Sequence, residues 1–228
     1  MMHRLSILFL VLVSTAALAE PNRGFYVAGG LMNQQMTARL QSTEAFDGSP
    51  VSMNTSGPSQ YSTGATLLAG YQLPLTENGA VMIEAGIDMA SRSLFKAHAS
   101  SGGESLDVQW KVLPSWFVAV KPGLQLSDGV VIYLSLAYHL ADADLSRTTL
   151  GTQNNTRTAV RTIGGSGIGM GLQGHINKSV FIRGEVESLH FSGASVDFIP
   201  GGSSGNLVSL HSIKPESIIG RVIVGYRF

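Results

Sequence analysis

One periodicity runs through nearly the whole chain after its first two dozen residues: apolar side chains recur at every second position, segment after segment. Period two puts successive side chains on opposite faces of an extended strand, so each segment specifies a sheet with two different faces. Residues 80–91 show it most clearly, with Val81, Ile83, Ala85, Ile87 and Met89 on one face and Glu84, Gly86 and Asp88 on the other. Residues 24–34 group Phe25, Val27, Gly29 and Leu31, and residues 61–73 group Ala65, Leu67, Ala69, Tyr71 and Leu73. Residues 108–126 align Trp110, Val112, Trp116, Val118 and Val120 against Gln109, Lys111 and Lys121. Residues 130–141 set Ile132, Leu134, Leu136, Tyr138 and Leu140 against Tyr133, Ser135, Ala137 and His139. Ile168, Met170 and Leu172 mark the apolar side of residues 159–173. In residues 180–191, Ile182 and Val186 oppose Arg183, Glu185 and Glu187. In residues 217–228, Ile218, Val222, Val224, Tyr226 and Phe228 oppose Arg221 and Arg227.

The first nineteen residues follow a different rule. His3 and Arg4 give a weakly basic start, Leu5 to Val13 is apolar apart from Ser6, and Ala17-Leu18-Ala19 is a small-x-small cleavage pattern. This is the order of a secretory signal peptide, with maturation expected at Glu20. The apolar run is shorter than the roughly 20 residues of a spanning helix. The chain has no cysteine. That removes a lipoprotein anchor, a disulfide framework and a thiolate metal site. Residues 1–19 are therefore read as signal and 20–228 as one exported β-domain. Charged residues are only 13% of the chain and cancel to zero, so there is no basic face for nucleic acid.

Connections decide what kind of β-domain this is. Segments 35–60, 92–107, 142–158 and 192–216 are long and polar; Pro74 to Gly79, Ser127-Asp128-Gly129 and Gly174 to Ser179 are short. Long links at one end and short turns at the other describe an up-and-down transmembrane barrel, with loops extracellular and turns periplasmic. The expected fold is all-β: an eight-stranded antiparallel up-and-down transmembrane β-barrel with long extracellular loops and short periplasmic turns. Strands of about 10 residues, tilted near 40°, span roughly the 25 Å apolar band. Ser100 to Gly103 and Pro200-Gly201-Gly202 read as tips of hairpins projecting beyond it.

Three stretches resemble the opacity-protein-like and outer-membrane-protein-A-like small barrels: Gly24-Phe25-Tyr26-Val27-Ala28-Gly29-Gly30, Gly64 through Leu73, and Gly225-Tyr226-Arg227-Phe228. The last is similar to the aromatic-ended signal read by barrel-assembly machinery, which assigns that role to Tyr226 and Phe228. The motifs are architectural. The resemblance implies a barrel whose interior charges act as a rigid plug.

Charges on the face opposite the apolar one are the first candidates for chemistry. Glu84, Asp88, Lys121, Arg183, Glu185, Glu187 and Arg221 all point inward, with Tyr133, His139 and Gln173 in phase. An eight-strand interior is just wide enough to be filled by side chains, and charges buried there must pair. The alternatives are a proton or ion path and paired carboxylates for acid–base work. Inward Gly165, Gly167, Gly169 and Gly171 make room for large neighbours such as Arg183 and Tyr133. The formal dinucleotide match Gly169-x-Gly171-x-x-Gly174 lacks the helix that would receive a pyrophosphate. His98, His139, His175, His190 and His211 form no close pair, so neither metal nor cofactor is expected.

His190 and Ser192 share the lipid-facing side of a strand, a spacing similar to the His-x-Ser of outer-membrane lipid A deacylases. Gly193 stands where that family carries asparagine, and only Asp197 and Glu216 follow as possible orienting acids. Phe25, Tyr71, Tyr226 and Phe228 at the periplasmic ends, and Trp110 and Tyr138 at the extracellular ends, make two aromatic girdles. The function expected is non-enzymatic: a surface protein of structural, adhesin or surface-antigen type, displaying loops to host or cell-surface molecules. Its other partners are outer-membrane lipid and lipopolysaccharide and the assembly machinery, not nucleic acid. A lipid A-modifying enzyme using His190 and Ser192, and a small-solute pore, are the alternatives.

Overall fold

The computed structural model describes residues 23–46, 49–56, 59–90, 92–101, 104–127, 129–150, 155–198 and 209–228. The signal segment 1–19 and the Pro200-Gly201-Gly202 tip lie outside these residues. Among the described residues eleven strands follow one another: β1 (Gly24–Phe46), β2 (Ser49–Ser56), β3 (Gln60–Pro74), β4 (Gly79–Met89), β5 (Arg92–Ser101), β6 (Glu104–Ser127), β7 (Val130–Leu150), β8 (Asn155–His175), β9 (Val180–Phe191), β10 (Ala194–Phe198) and β11 (Ser209–Arg227). Eight of them, β1, β3, β4, β6, β7, β8, β9 and β11, form a closed antiparallel up-and-down barrel, sealed where β11 pairs with β1.

The register fixes the barrel's shape. Starting at Phe25, the cross-strand partners are Tyr71, Ile83, Val120, Leu136, Ile168, Ser188 and Ile218, and the last of these pairs with Gln35. One circuit thus returns to β1 ten residues farther on (35 − 25 = 10). Eight strands with that stagger tilt by about 40° and enclose a backbone cylinder of roughly 8 Å radius. On β7 the outward apolar run from Val130 to Leu140 is ten steps of about 3.3 Å, or about 25 Å of height at that tilt, which is the thickness of the apolar band.

Periplasmic turns are tight and bonded. Leu75 and Thr76 both donate backbone N–H groups to the Gly79 carbonyl. Asn177 Oδ1 accepts from the N–H groups of Ser179 and Val180 at 2.9 and 2.8 Å, the side-chain mimicry of a turn that asparagine favours. Gly129, at φ 109°, supplies a left-handed backbone conformation open mainly to glycine.

At the other end the structure departs from the expectation of loops. Much of segments 35–60, 92–107, 142–158 and 192–216 is paired strand. β1 continues past the band and folds back as β2, from Arg39↔Ser56 to Phe46↔Ser49. β5 returns along β6 as far as Ser101↔Glu104; Gly102 and Gly103, within the hairpin tip expected at Ser100 to Gly103, lie outside the described residues. β7 and β8 stay paired to Thr149↔Asn155, and β10 pairs with β11. Antiparallel neighbours beyond the bilayer still gain by pairing their backbone groups, but with water on both faces no apolar alternation is needed to specify it.

One face assignment is corrected. Val112 is buried and Lys111 exposed, whereas Trp116, Val118 and Val120 are exposed and Lys121 is buried. Val112 and Trp116 therefore lie on opposite faces, as do Lys111 and Lys121. The register of β6 against β7 shifts between Val112 and Ser115, with two residues on β6 facing one on β7. This bulge contains Pro114, which has no N–H for the ladder; bulges are a site where proline is tolerated in a sheet.

Candidate functional site

Period two in β4, β6, β9 and β11 aims eight charged side chains inward, seven of them in one cluster and Arg227 at the periplasmic mouth. Glu84, Asp88, Lys121, Arg183, Glu185, Glu187 and Arg221 are all at most 4% exposed, and they join into one network. Lys121 Nζ lies 2.7 Å from Glu84 Oε2 and 2.5 Å from Glu185 Oε2. Arg183 Nη1 pairs with Glu84 Oε1 from the opposite side. Arg221 engages three carboxylates: Asp88 Oδ2 at 2.6 Å, Glu185 Oε1 at 2.8 Å and Glu187 Oε2 at 2.6 Å. Glu187 also meets His139 Nε2 at 2.7 Å.

Aromatic and amide groups complete the coordination. The Tyr133 hydroxyl donates to Glu185 at 2.8 Å, and Gln173 Oε1 accepts from Arg183 Nη2 at 2.7 Å. Arg183 lies 5.3–5.6 Å from the ring centres of Tyr26, Tyr133 and Phe181, and Arg221 lies 5.3 Å from that of Phe117. Buried charges survive only with this density of partners. Glycines leave the space. A Cβ on Gly171 would come 2.2 Å from the Tyr133 hydroxyl, and one on Gly167 would come 1.9 Å from Glu187 Oε1.

Sequence reasoning missed Tyr26, whose hydroxyl donates to Glu84 Oε1 at 2.5 Å. It sits on the inward phase of β1 beside outward Phe25, which was the available signal. It also missed the cluster at the periplasmic mouth. There, Arg227 Nη2 donates to Gln72 Oε1 at 2.7 Å and lies 3.0 Å from His175 Nε2.

His190 and Ser192 both face outward and are exposed. Glu216 sits directly opposite His190 in the β9–β11 ladder. The two share a small groove of about 170 Å³ with Gln35, Thr37, Ser188, Ser217 and Ile218. Ser192 does not line that groove. Its backbone N–H and its hydroxyl both donate to the Gly164 carbonyl, at 2.6 and 2.8 Å. The structure thus supplies an acid neighbour for the histidine but commits the serine elsewhere.

Aromatic side chains mark the band's edges. Phe25 packs on Tyr71 at 4.6 Å and Tyr226 on Phe228 at 5.2 Å at the lower edge. Trp116 and Tyr138 stand exposed near the upper edge; the side chain of Trp110 lies outside the described residues.

Lumen, band and girdles together are those of a membrane barrel, and residues 5–214 match the outer membrane protein beta-barrel domain. The chain belongs to this outer-membrane β-barrel family. As such it is a protein of the bacterial outer membrane. No curated protein matches its sequence. Among solved structures, this outer-membrane barrel is similar to the attachment invasion locus protein Ail of Yersinia pestis, at 16% identity and TM-score 0.40, covering 87% of this chain and 99% of that one. It is also similar to the outer membrane protease OmpT of Escherichia coli, at 8% identity and TM-score 0.51, covering 94% and 100%. A third is OprG of Pseudomonas aeruginosa, at 10% identity and TM-score 0.42, covering 91% and 97%. At these identities the likeness concerns the fold alone, a fold that hosts an enzyme in OmpT.

Proposed function

We propose that this outer-membrane barrel is a non-enzymatic display protein, which holds β-hairpins above the cell surface and contacts molecules there. The observation that carries the reading is the combination of a filled lumen with strands that outrun the membrane. The ion-pair network crosses the lumen from Glu84 on β4 to Arg183 on β9 and from Asp88 to Arg221 on β11, which disfavours a solute pore. Past Leu140, β7 continues for ten further residues to Leu150. That is about 25 Å of additional height at the barrel's tilt, a large investment of structure outside the bilayer. Tyr226 and Phe228 are assigned to recognition by the assembly machinery, and residues 1–19 to export.

Exchanging the β7–β8 hairpin beyond residue 143, or the β1–β2 hairpin, for a short Gly/Ser turn should abolish adhesion or recognition by cells bearing the protein. Intact binding after both exchanges would remove the display reading. A second reading, hydrolysis of a lipid A acyl ester through His190 and Ser192, gains Glu216 as a neighbour of the histidine and loses the serine to Gly164. Mass spectra of lipid A from cells with and without the protein are expected to be identical. An acyl chain lost only when Ser192 is present would replace the display reading by that one.

A further inference from the structure

The outward wall of the barrel is not evenly filled. On β7 and β8 the cross-strand neighbours that face lipid are all long: Ile132↔Leu172, Leu134↔Met170 and Leu136↔Ile168. Across β1, β3, β4 and β6 one row is short. Val27, Ala69, Ala85 and Val118 are successive cross-strand partners, and all four face outward. The row below carries Tyr71 and Ile83, and the row above carries Leu67 and Trp116. The short row is therefore the floor of a hollow. Two contiguous cavities, of about 890 and 440 Å³, open over it and share all four floor residues.

What fills the hollow must be apolar, elongated and convex. Its floor lies inside the apolar band, and the backbone beneath it is already paired in the ladder. Three interstrand steps of about 4.8 Å make it about 14 Å long, roughly half the depth of the 25 Å band. A second copy of this chain is a poor filler. A two-fold pair sets the same patch against itself, so hollow would meet hollow and both would stay empty. A hydrocarbon chain fits lengthwise. The lower end supplies a cue for its head group. There the smaller cavity is bordered by Phe25, Tyr71 and Phe228 of the periplasmic girdle, and the exposed Arg23 donates from Nε to the Tyr71 hydroxyl at 3.2 Å. That contact holds a guanidinium at the level of the periplasmic head groups. Arginine presents a planar fork of donors that matches phosphate, the group that every glycerophospholipid carries at that level.

We propose that this hollow binds one glycerophospholipid of the periplasmic leaflet, with an acyl chain laid over Ala69 and Ala85 and the phosphate on Arg23. Over the short floor, chain atoms approach the wall more closely than they can over Leu134 or Met170. The bound lipid gains dispersion contacts on three sides of its chain, where an ordinary boundary lipid has them on one, and it exchanges more slowly for that reason. Recognition of the head group runs through the phosphate, so the site is tolerant of what the phosphate carries. The hollow lies at the end of the barrel away from the projecting strands and does not depend on the display reading.

The test uses the full-length protein folded in detergent micelles, incubated with dioleoylphosphatidylglycerol and released for native mass spectrometry. One retained lipid per barrel is expected. Ala69→Phe combined with Ala85→Phe fills the floor from outward positions and should cut retention at least tenfold. Arg23→Gln should cut it at least fivefold. Lys178→Gln, which removes an exposed cation from the turn between β8 and β9, should leave it unchanged. Unheated-gel mobility shows whether each variant is folded, and Arg23→Gln decides alone if the filled variant is not. The proposal is overturned if no lipid is retained at a large molar excess, or if Arg23→Gln retains as much as the unaltered protein. Lipid A retained in preference to the phospholipid, lost in the filled variant and kept in Arg23→Gln, would overturn it in favour of an outer-leaflet lipid. A dimer mass lost in the filled variant would overturn it in favour of a second copy. The display reading stands or falls separately, with the hairpin exchanges.

Discussion

Arg183 is the residue on which the lumen depends most visibly. Its guanidinium holds Glu84, binds Gln173 and lies within reach of three aromatic rings. Arg183→Met keeps much of the volume and removes the charge, leaving Glu84 with Lys121 and Tyr26 as its remaining partners. Breaking one side of a buried pair costs about 3–5 kcal/mol, so urea unfolding in vesicles should show a loss of that order. Lys178→Ala, in an exposed periplasmic turn, should be near neutral. Glycines offer a second contrast. A Cβ on Gly225 would come 2.1 Å from the Phe181 ring, while one on Gly184 meets nothing within 4 Å. Gly225→Ala is expected to cost about 1–3 kcal/mol by overpacking, and Gly184→Ala almost nothing, measured in the same unfolding experiment. At this scale much was legible in the sequence. A charged residue between apolar neighbours declares its face, which is how Glu84, Asp88 and the β9 and β11 charges could be placed. Tyr26 could not be placed so directly, because tyrosine serves equally in a girdle and in a lumen.

Elements were legible where the two faces of a strand meet different media, and illegible elsewhere. β9 reads correctly from end to end because lipid and lumen sort Ile182 and Val186 from Arg183, Glu185 and Glu187. β2 and the upper parts of β7 and β8 have no such sorting, and their polar sequences look like loop; of β5 the sequence marks only the hairpin tip near Ser100. The bulge in β6 was hidden for another reason: the apolar residues Val112, Trp116 and Val118 keep an even spacing across the inserted position, so the phase change leaves no mark. A consequence can be measured. Beyond residue 143, β7 pairs only with β8 and with the projecting part of β6. Replacing 144–161 by a short turn should keep the heat-dependent shift in gel mobility that closed barrels show, even as recognition is lost. Loss of that shift would mean that the projecting strands help to hold the membrane part together.

The whole molecule closes through one seam, where β11 pairs with β1 from Tyr26↔Arg227 upward and the Phe228 N–H donates to the Phe25 carbonyl at 3.0 Å. If Phe228 is also what the assembly machinery reads, Phe228→Ala should lower the amount reaching the outer membrane in cells while leaving spontaneous refolding into thin vesicles nearly unchanged. Equal losses in both would make Phe228 a structural residue only. The same seam sets an order of events. The ion pairs join residues far apart in the chain: Glu84 to Arg183, Asp88 to Arg221, Lys121 to Glu185. Arg221, which serves Asp88, Glu185 and Glu187, arrives only with β11. Until that strand docks, three carboxylates lack their shared cation and will hold water about them. Drying of the interior and closing of the wall must then be a single step, so a chain stopped short of β11 is still wet and acidic inside and is kept out of the hydrocarbon by its own unfinished electroneutrality.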